Sequence, residues 1–104
     1  MSGLRKKVYK RTDPKECCYC RVPLTLDECT VEHIIPRAYG GTDRAQNTAL
    51  ACRLCNVARG DSFDLAKIKK NRDKMIRRQG LKVNELDPHW GVLKTWESWK
   101  RSVR

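Results

Sequence analysis

Cys17-x-x-Cys20 and Cys52-x-x-Cys55 stand 31 residues apart in a chain of 104. Two such pairs restrict the fold more tightly than any other feature of the sequence, because each pair can take two corners of one tetrahedral four-thiolate zinc site. A chain this short buries only a modest core, so a bound metal contributes directly to folding: its ligands come together only in the native state. Cys18 and Cys29 are left over. Cys18-x-Cys20 offers a competing pair, but the spacing of 17/20 matches that of 52/55 and is preferred, which leaves Cys18 and Cys29 as buried or free thiols. With all four corners filled by sulfur, a structural role is expected for this zinc. The start of the chain, Met1 to Arg11, lacks the apolar segment of a signal peptide, and no run approaches the roughly 20 apolar residues of a membrane span. A soluble, cytoplasmic protein is therefore expected. In a reducing compartment six cysteines argue for metal ligation over disulfides.

The net charge of +11 is unevenly spread. Residues 1–16 carry a net +4, residues 17–60 a net +1 and residues 61–104 a net +6. A near-neutral centre between cationic flanks suits a chemical site set in a surface that attracts a polyanion by counterion release, and nucleic acid is the expected partner. The basic residues are not ranged opposite an apolar amphipathic face, so a membrane surface is not expected.

Three segments follow. Residues 1–16 read as a basic, flexible N-terminal arm. Residues 17–60 contain a metal-wrapping knuckle, a strand rich in β-branched residues from Cys29 to Ile35, a Gly40-Gly41 loop, a returning strand from Asn47 to Ala51 and a short helix ended by Gly60. Residues 61–104 read as a basic helical extension packed on the core, with one helix over Phe63–Gln79 capped by Ser62. A second helix is expected to start at Asp87-Pro88, with Asp87 as its cap and Pro88 in its first turn. His89 is placed in that first turn with no chemical role, and Trp90, Trp96 and Trp99 are expected to pack on the domain.

Between the cysteine pairs lie Glu32-His33-Ile34-Ile35-Pro36-Arg37, the Gly40-Gly41 turn and Asn47, fourteen positions after the histidine; Asn56 directly follows the second pair. In this order and spacing, residues 17–60 resemble the HNH endonuclease family. The resemblance implies a small α+β domain of the ββα-metal type, a hairpin and a helix around one divalent ion, stapled here by the four-cysteine zinc site and extended by two C-terminal helices. It implies hydrolysis of DNA phosphodiester bonds, with one strand nicked per site to leave a 5′-phosphate and a 3′-hydroxyl. Carried over position by position, His33 corresponds to the general base, Glu32 to the acidic metal ligand and Asn56 to the third motif residue, a ligand of the ion. Asn47 corresponds to the central Asn, which holds the loop after the histidine. Arg59 stands where the family is often basic and can reach a phosphate, with Arg53 and Arg37 as weaker candidates.

The residue chemistry agrees with that reading. A neutral imidazole can take a proton from water near pH 7, and a divalent ion supplies charge neutralisation. A carboxylate with an amide oxygen forms a hard, sparse donor set, which favours Mg²⁺ or Mn²⁺. Glu32 and His33 are neighbours on one strand and start toward opposite faces, so a twist or bulge is needed to bring both to one phosphate. Asn56 in place of the more frequent His, and Glu32 in place of Asp, are departures from the family pattern. Two alternatives stand beside the monomeric or homodimeric nuclease. One is a non-catalytic zinc-stabilised adaptor that binds nucleic acid; the other is a phage packaging or restriction accessory, active only within a larger complex.

Overall fold

The computed structural model describes residues 3–103. In chain order the elements are α1 (Gly3–Arg11), β1 (Cys29–His33), β2 (Thr48–Cys52), α2 (Arg53–Arg59), α3 (Leu65–Gln79) and α4 (Trp90–Ser102). Single 3-10 turns lie at Arg37–Tyr39 and Ala45–Asn47. β1 and β2 pair antiparallel, from Cys29 opposite Cys52 to His33 opposite Thr48. With α2 following directly on β2, the architecture is the α+β hairpin-and-helix expected from the sequence.

Knuckle, sheet and helices share one apolar core. Val8 of α1, Leu50 of β2, Ile68 of α3 and Val92 and Trp96 of α4 are all buried in it, together with Tyr19 of the first knuckle. Trp96 lies at the centre. Its ring meets Phe63 edge-on at 5.8 Å and Tyr19 at 6.1 Å, and its Nε1 donates to the Ile34 carbonyl at 2.9 Å. Trp99 stacks on Phe63 at 4.7 Å. Trp90, by contrast, is 63% exposed, with Lys94 one turn on lying 5.0 Å over its ring. Two of the three tryptophans therefore pack on the domain.

Three expected boundaries differ, each for a visible reason. The N-terminal segment is helical over Gly3–Arg11 and not a flexible arm: Val8 is buried, and Arg11 Nη2 donates to the Ala45 and Thr48 carbonyls and to Thr48 Oγ1. α3 is capped by Asp64, whose Oδ1 accepts from Ala66 and Lys67, whereas Ser62 accepts from Asp64 and lets Phe63 turn into the aromatic cluster. α4 begins at Trp90 and not at Pro88, because the Asp87 and His89 amides bond to the Tyr19 and Cys18 carbonyls and hold 87–89 against the first knuckle. His89 is the cap itself, its Nδ1 accepting from the Gly91 amide at 3.0 Å. Among the described residues no helix is long and apolar enough to cross a membrane.

Trp96→Ala removes a buried ring and the donor to Ile34 together. A loss of about 3–5 kcal/mol is expected, readable as a fall in the midpoint of urea unfolding followed by circular dichroism.

Candidate active site

The two knuckles meet. The Sγ atoms of Cys17, Cys20, Cys52 and Cys55 all lie within 4.8 Å of one another, with Cys20 and Cys52 at 3.9 Å. A tetrahedral zinc with ~2.3 Å bonds to sulfur has S···S edges of roughly 3.8 Å, so the four thiols could hold such an ion. The Cys17 thiol is driven far below its ordinary value by hydrogen bonds from Cys20, Cys52 and Cys55, while Cys55 is driven far above it, first by Cys17. Four thiolates at this spacing cannot coexist without a cation among them. Cys52 also caps α2, its sulfur accepting from the Cys55 amide. Cys18 and Cys29 stand outside the cluster; the Cys29 thiol donates to the Leu26 carbonyl.

The first knuckle carries Tyr19 between its ligands, and Tyr19 reaches the catalytic candidates. Its hydroxyl donates to Glu32 Oε2 at 2.6 Å in the interior. Arg59 Nη1 approaches the same oxygen at 3.4 Å. Burial pushes the Glu32 carboxyl up, and the Tyr19 hydroxyl and the Arg59 charge work against that rise. Both partners hold Oε2, which leaves Oε1 without a hydrogen bond to any described residue.

Arg59 does not stand where the sequence placed it. It is 1% exposed, and its guanidinium is committed to three carbonyls: Nε to Ser62 at 2.8 Å, Nη1 to His33 at 2.9 Å and Nη2 to Ile34 at 3.0 Å. Phe63 and Trp96 flank it at 5.2 and 5.1 Å. Arg59 is thus an internal cation that balances Glu32 and pins the end of β1, and it also lines the depression that Glu32 and His33 border. Arg53 and Arg37 are exposed at the surface.

Asn47 is buried and ties down the loop that follows the histidine. Its Oδ1 accepts from the Ile35 amide at 2.8 Å, and its Nδ2 donates to the carbonyls of Ile35 at 3.1 Å and Thr42 at 2.8 Å. Its own carbonyl accepts from Ile34. The turn needs its glycines: Gly40 has φ +88°, and a Cβ on Gly41 would lie 1.7 Å from the Ile35 carbonyl oxygen.

Asn56, on α2, donates through Nδ2 to Thr30 Oγ1 at 2.8 Å and to the Val31 carbonyl at 3.3 Å. Its Oδ1 accepts no hydrogen bond from a described residue. Glu32, His33 and Asn56 line one open depression of about 270 Å³, together with Arg37 and Asp61. Of the twist or bulge expected between Glu32 and His33, the bulge is absent, since the β1–β2 register runs uninterrupted. Instead Glu32 stays in the core and borders the depression beside the half-buried His33. His33 Nε2 lies 2.8 Å from Asp43 Oδ1, a partner that sequence reading missed because an aspartate after Gly-Gly reads as a turn residue.

Comparison with known proteins identifies the family. The profile of the HNH endonuclease family matches residues 17–72. The chain is also similar to the CRISPR-associated endonuclease Cas9 of Corynebacterium diphtheriae, with 35% identity over 48 residues, which is 45% of this chain and 4% of that protein. The likeness thus spans a small piece of a much longer relative. No solved structure matches significantly.

If Arg59 is an internal counter-charge, Arg59→Ala strands Glu32 in the core and destabilises the fold by about 3–5 kcal/mol. An arginine whose role is a phosphate contact would leave unfolding unchanged and weaken only DNA binding, so urea unfolding beside a DNA-binding titration separates the two.

Proposed function

The chain belongs to the HNH endonuclease family, and we propose that it is itself a metal-dependent endonuclease that hydrolyses DNA phosphodiester bonds one strand at a time. The observation that carries this reading is the shared depression. His33, Glu32 and Asn56 all line it, and two hard oxygen donors, Glu32 Oε1 and Asn56 Oδ1, have no hydrogen-bond partner among the described residues. That donor set fits a divalent ion of the Mg²⁺ or Mn²⁺ kind that keeps several waters. Held there, the ion supplies charge stabilisation at the scissile phosphate and the departing oxygen.

The chain's own residues do the rest. His33 accepts a proton from the attacking water as the water oxygen bonds to phosphorus. The bond to the 3′-oxygen breaks, that oxygen takes a proton from solvent, and the products are a 5′-phosphate and a 3′-hydroxyl. Asn47 keeps the loop beside His33 from moving, and Arg59 with Tyr19 keeps Glu32 in place. Arg37 and Arg53 remain exposed for phosphate contact, and the exposed lysines and arginines of α3, among them Lys67, Lys70, Lys74, Arg77 and Arg78, suit a backbone grip that reads no sequence. Zinc held by the four cysteines is structural in this scheme. One site per chain predicts nicking by a monomer and double-strand cleavage only by a dimer or by two encounters.

The test is conversion of supercoiled plasmid by the zinc-loaded protein with Mg²⁺, with Mn²⁺ and with EDTA. Open circles preceding linear product are expected, abolished by EDTA and reduced about 10²- to 10⁴-fold in His33→Ala. DNA binding without cutting by the wild type would favour the adaptor. Elemental analysis is expected to give one zinc per chain, and stripping it with a strong chelator should abolish the cooperative thermal transition seen by circular dichroism.

A further inference from the structure

We propose that Asp43 is the positioning residue for His33: its carboxylate holds the imidazole with the proton on Nε2 and leaves Nδ1 as the nitrogen that receives the proton from water. This rests on the nuclease reading for its purpose, although the geometry stands apart from it. An ionised carboxylate can only accept a hydrogen bond, so the 2.8 Å contact between Asp43 Oδ1 and His33 Nε2 requires the proton on that nitrogen. Nδ1, which makes no hydrogen bond to a described residue, then carries the lone pair.

A surface aspartate beside a histidine is ordinarily a weak and mobile pair. Here the loop removes that freedom. Asn47 Nδ2 binds the Thr42 carbonyl, immediately before Asp43, and the Asn47 amide group also holds both polar groups of Ile35 at the other end of the loop. Gly40 and Gly41 fold the intervening chain back, with the Gly40 amide on the Arg37 carbonyl and the Gly41 amide on that of Pro36. Arg37, from the same loop, donates through Nη2 to the Asp43 oxygen that His33 uses. The carboxylate is thereby held between two donors, and their effect is visible on Asp43 itself, whose pKa is lowered first by the His33 hydrogen bond and then by the Arg37 charge. On the other side, the His33 backbone is fixed by Arg59, so the ring is restrained at both ends.

The experiment reads His33 directly in long-range ¹H–¹⁵N correlation spectra of the full, zinc-loaded chain at about pH 8.5, above the ordinary histidine range. The chain has two histidines, so His89→Gln assigns the signals. The expected wild-type pattern is a single tautomer with the proton on Nε2. Asp43→Ala should give averaged nitrogen shifts, a kcat for nicking lower by about 100-fold and a KM for DNA within about twofold of wild type, and Asp43→Glu should recover much of both. A wild-type proton on Nδ1 overturns the proposal, as does an Asp43→Ala variant with unchanged spectra and kcat, or one whose loss lies wholly in KM. The spectra need no cleavage, so a protein that cuts nothing but shows the locked tautomer would refute the nuclease reading and leave the Asp43–His33 assignment standing.

Discussion

Four sulfur atoms within 4.8 Å of one another set the terms for the rest of the molecule. Two come from a turn near the start of the chain and two from the junction of β2 and α2, so bringing them together closes a loop that contains the whole hairpin. Mutual repulsion opposes that closure with bare thiolates. A cation at the cluster turns four repelling groups into ligands and makes the closure favourable.

The cluster is connected to the chemistry by residues between and beside its ligands. Tyr19, inside the first knuckle, reaches Glu32; Asn56, one residue after Cys55, bonds to β1; Arg59, at the end of the same helix, grips the carbonyls at the end of the strand and just after it. Loss of the cluster would free all three anchors at once. The backbone from His33 to Ile35 is correspondingly over-determined. Arg59 holds the His33 and Ile34 carbonyls, Trp96 also holds that of Ile34, and Asn47 holds Ile34 and Ile35. This segment is held from several sides at once, which is the preorganisation that the proposed electrostatic catalysis would need.

What could be read from the sequence was whatever spacing encodes. The cysteine pairs, the hairpin and the Gly-Gly turn follow from intervals and residue types, while His33 and Asn47 are singled out by the family resemblance. The missed features depend on contacts between distant segments. α1 reads as a solvated arm because its lysines and arginines dominate, and only the fold shows Val8 buried and Arg11 bonded to Thr48. Arg59 is a phosphate candidate in sequence because its position is often basic in the resembled family; its burial depends on Glu32 and on the carbonyls at the end of β1. The Asp87-Pro88 start signal is sound locally, yet two hydrogen bonds to the knuckle outweigh it. Asp43 lies ten residues from His33 in sequence, and nothing in the interval says that the loop returns to it.

Glu32, Asn56 and His33 share one economy of atoms. Each side chain has two polar atoms, and in each the fold holds one and leaves the other without a partner among the described residues. Glu32 gives Oε2 to Tyr19 and Arg59 and keeps Oε1; Asn56 gives Nδ2 to β1 and keeps Oδ1; His33 engages Asp43 through Nε2 and keeps Nδ1. A side chain held by one atom is oriented without being saturated, so its second atom is aimed at no conformational cost when a ligand arrives. Were all six atoms free, the three side chains would have to be ordered by the substrate; were all six bonded, nothing would be left to meet it. The arrangement also explains why exchange between similar residues should be poorly tolerated here. Aspartate at position 32 is one methylene shorter, and the 2.6 Å bond from the Tyr19 hydroxyl is made to the glutamate's more distant carboxylate oxygen, which ties the glutamate to the knuckle tyrosine.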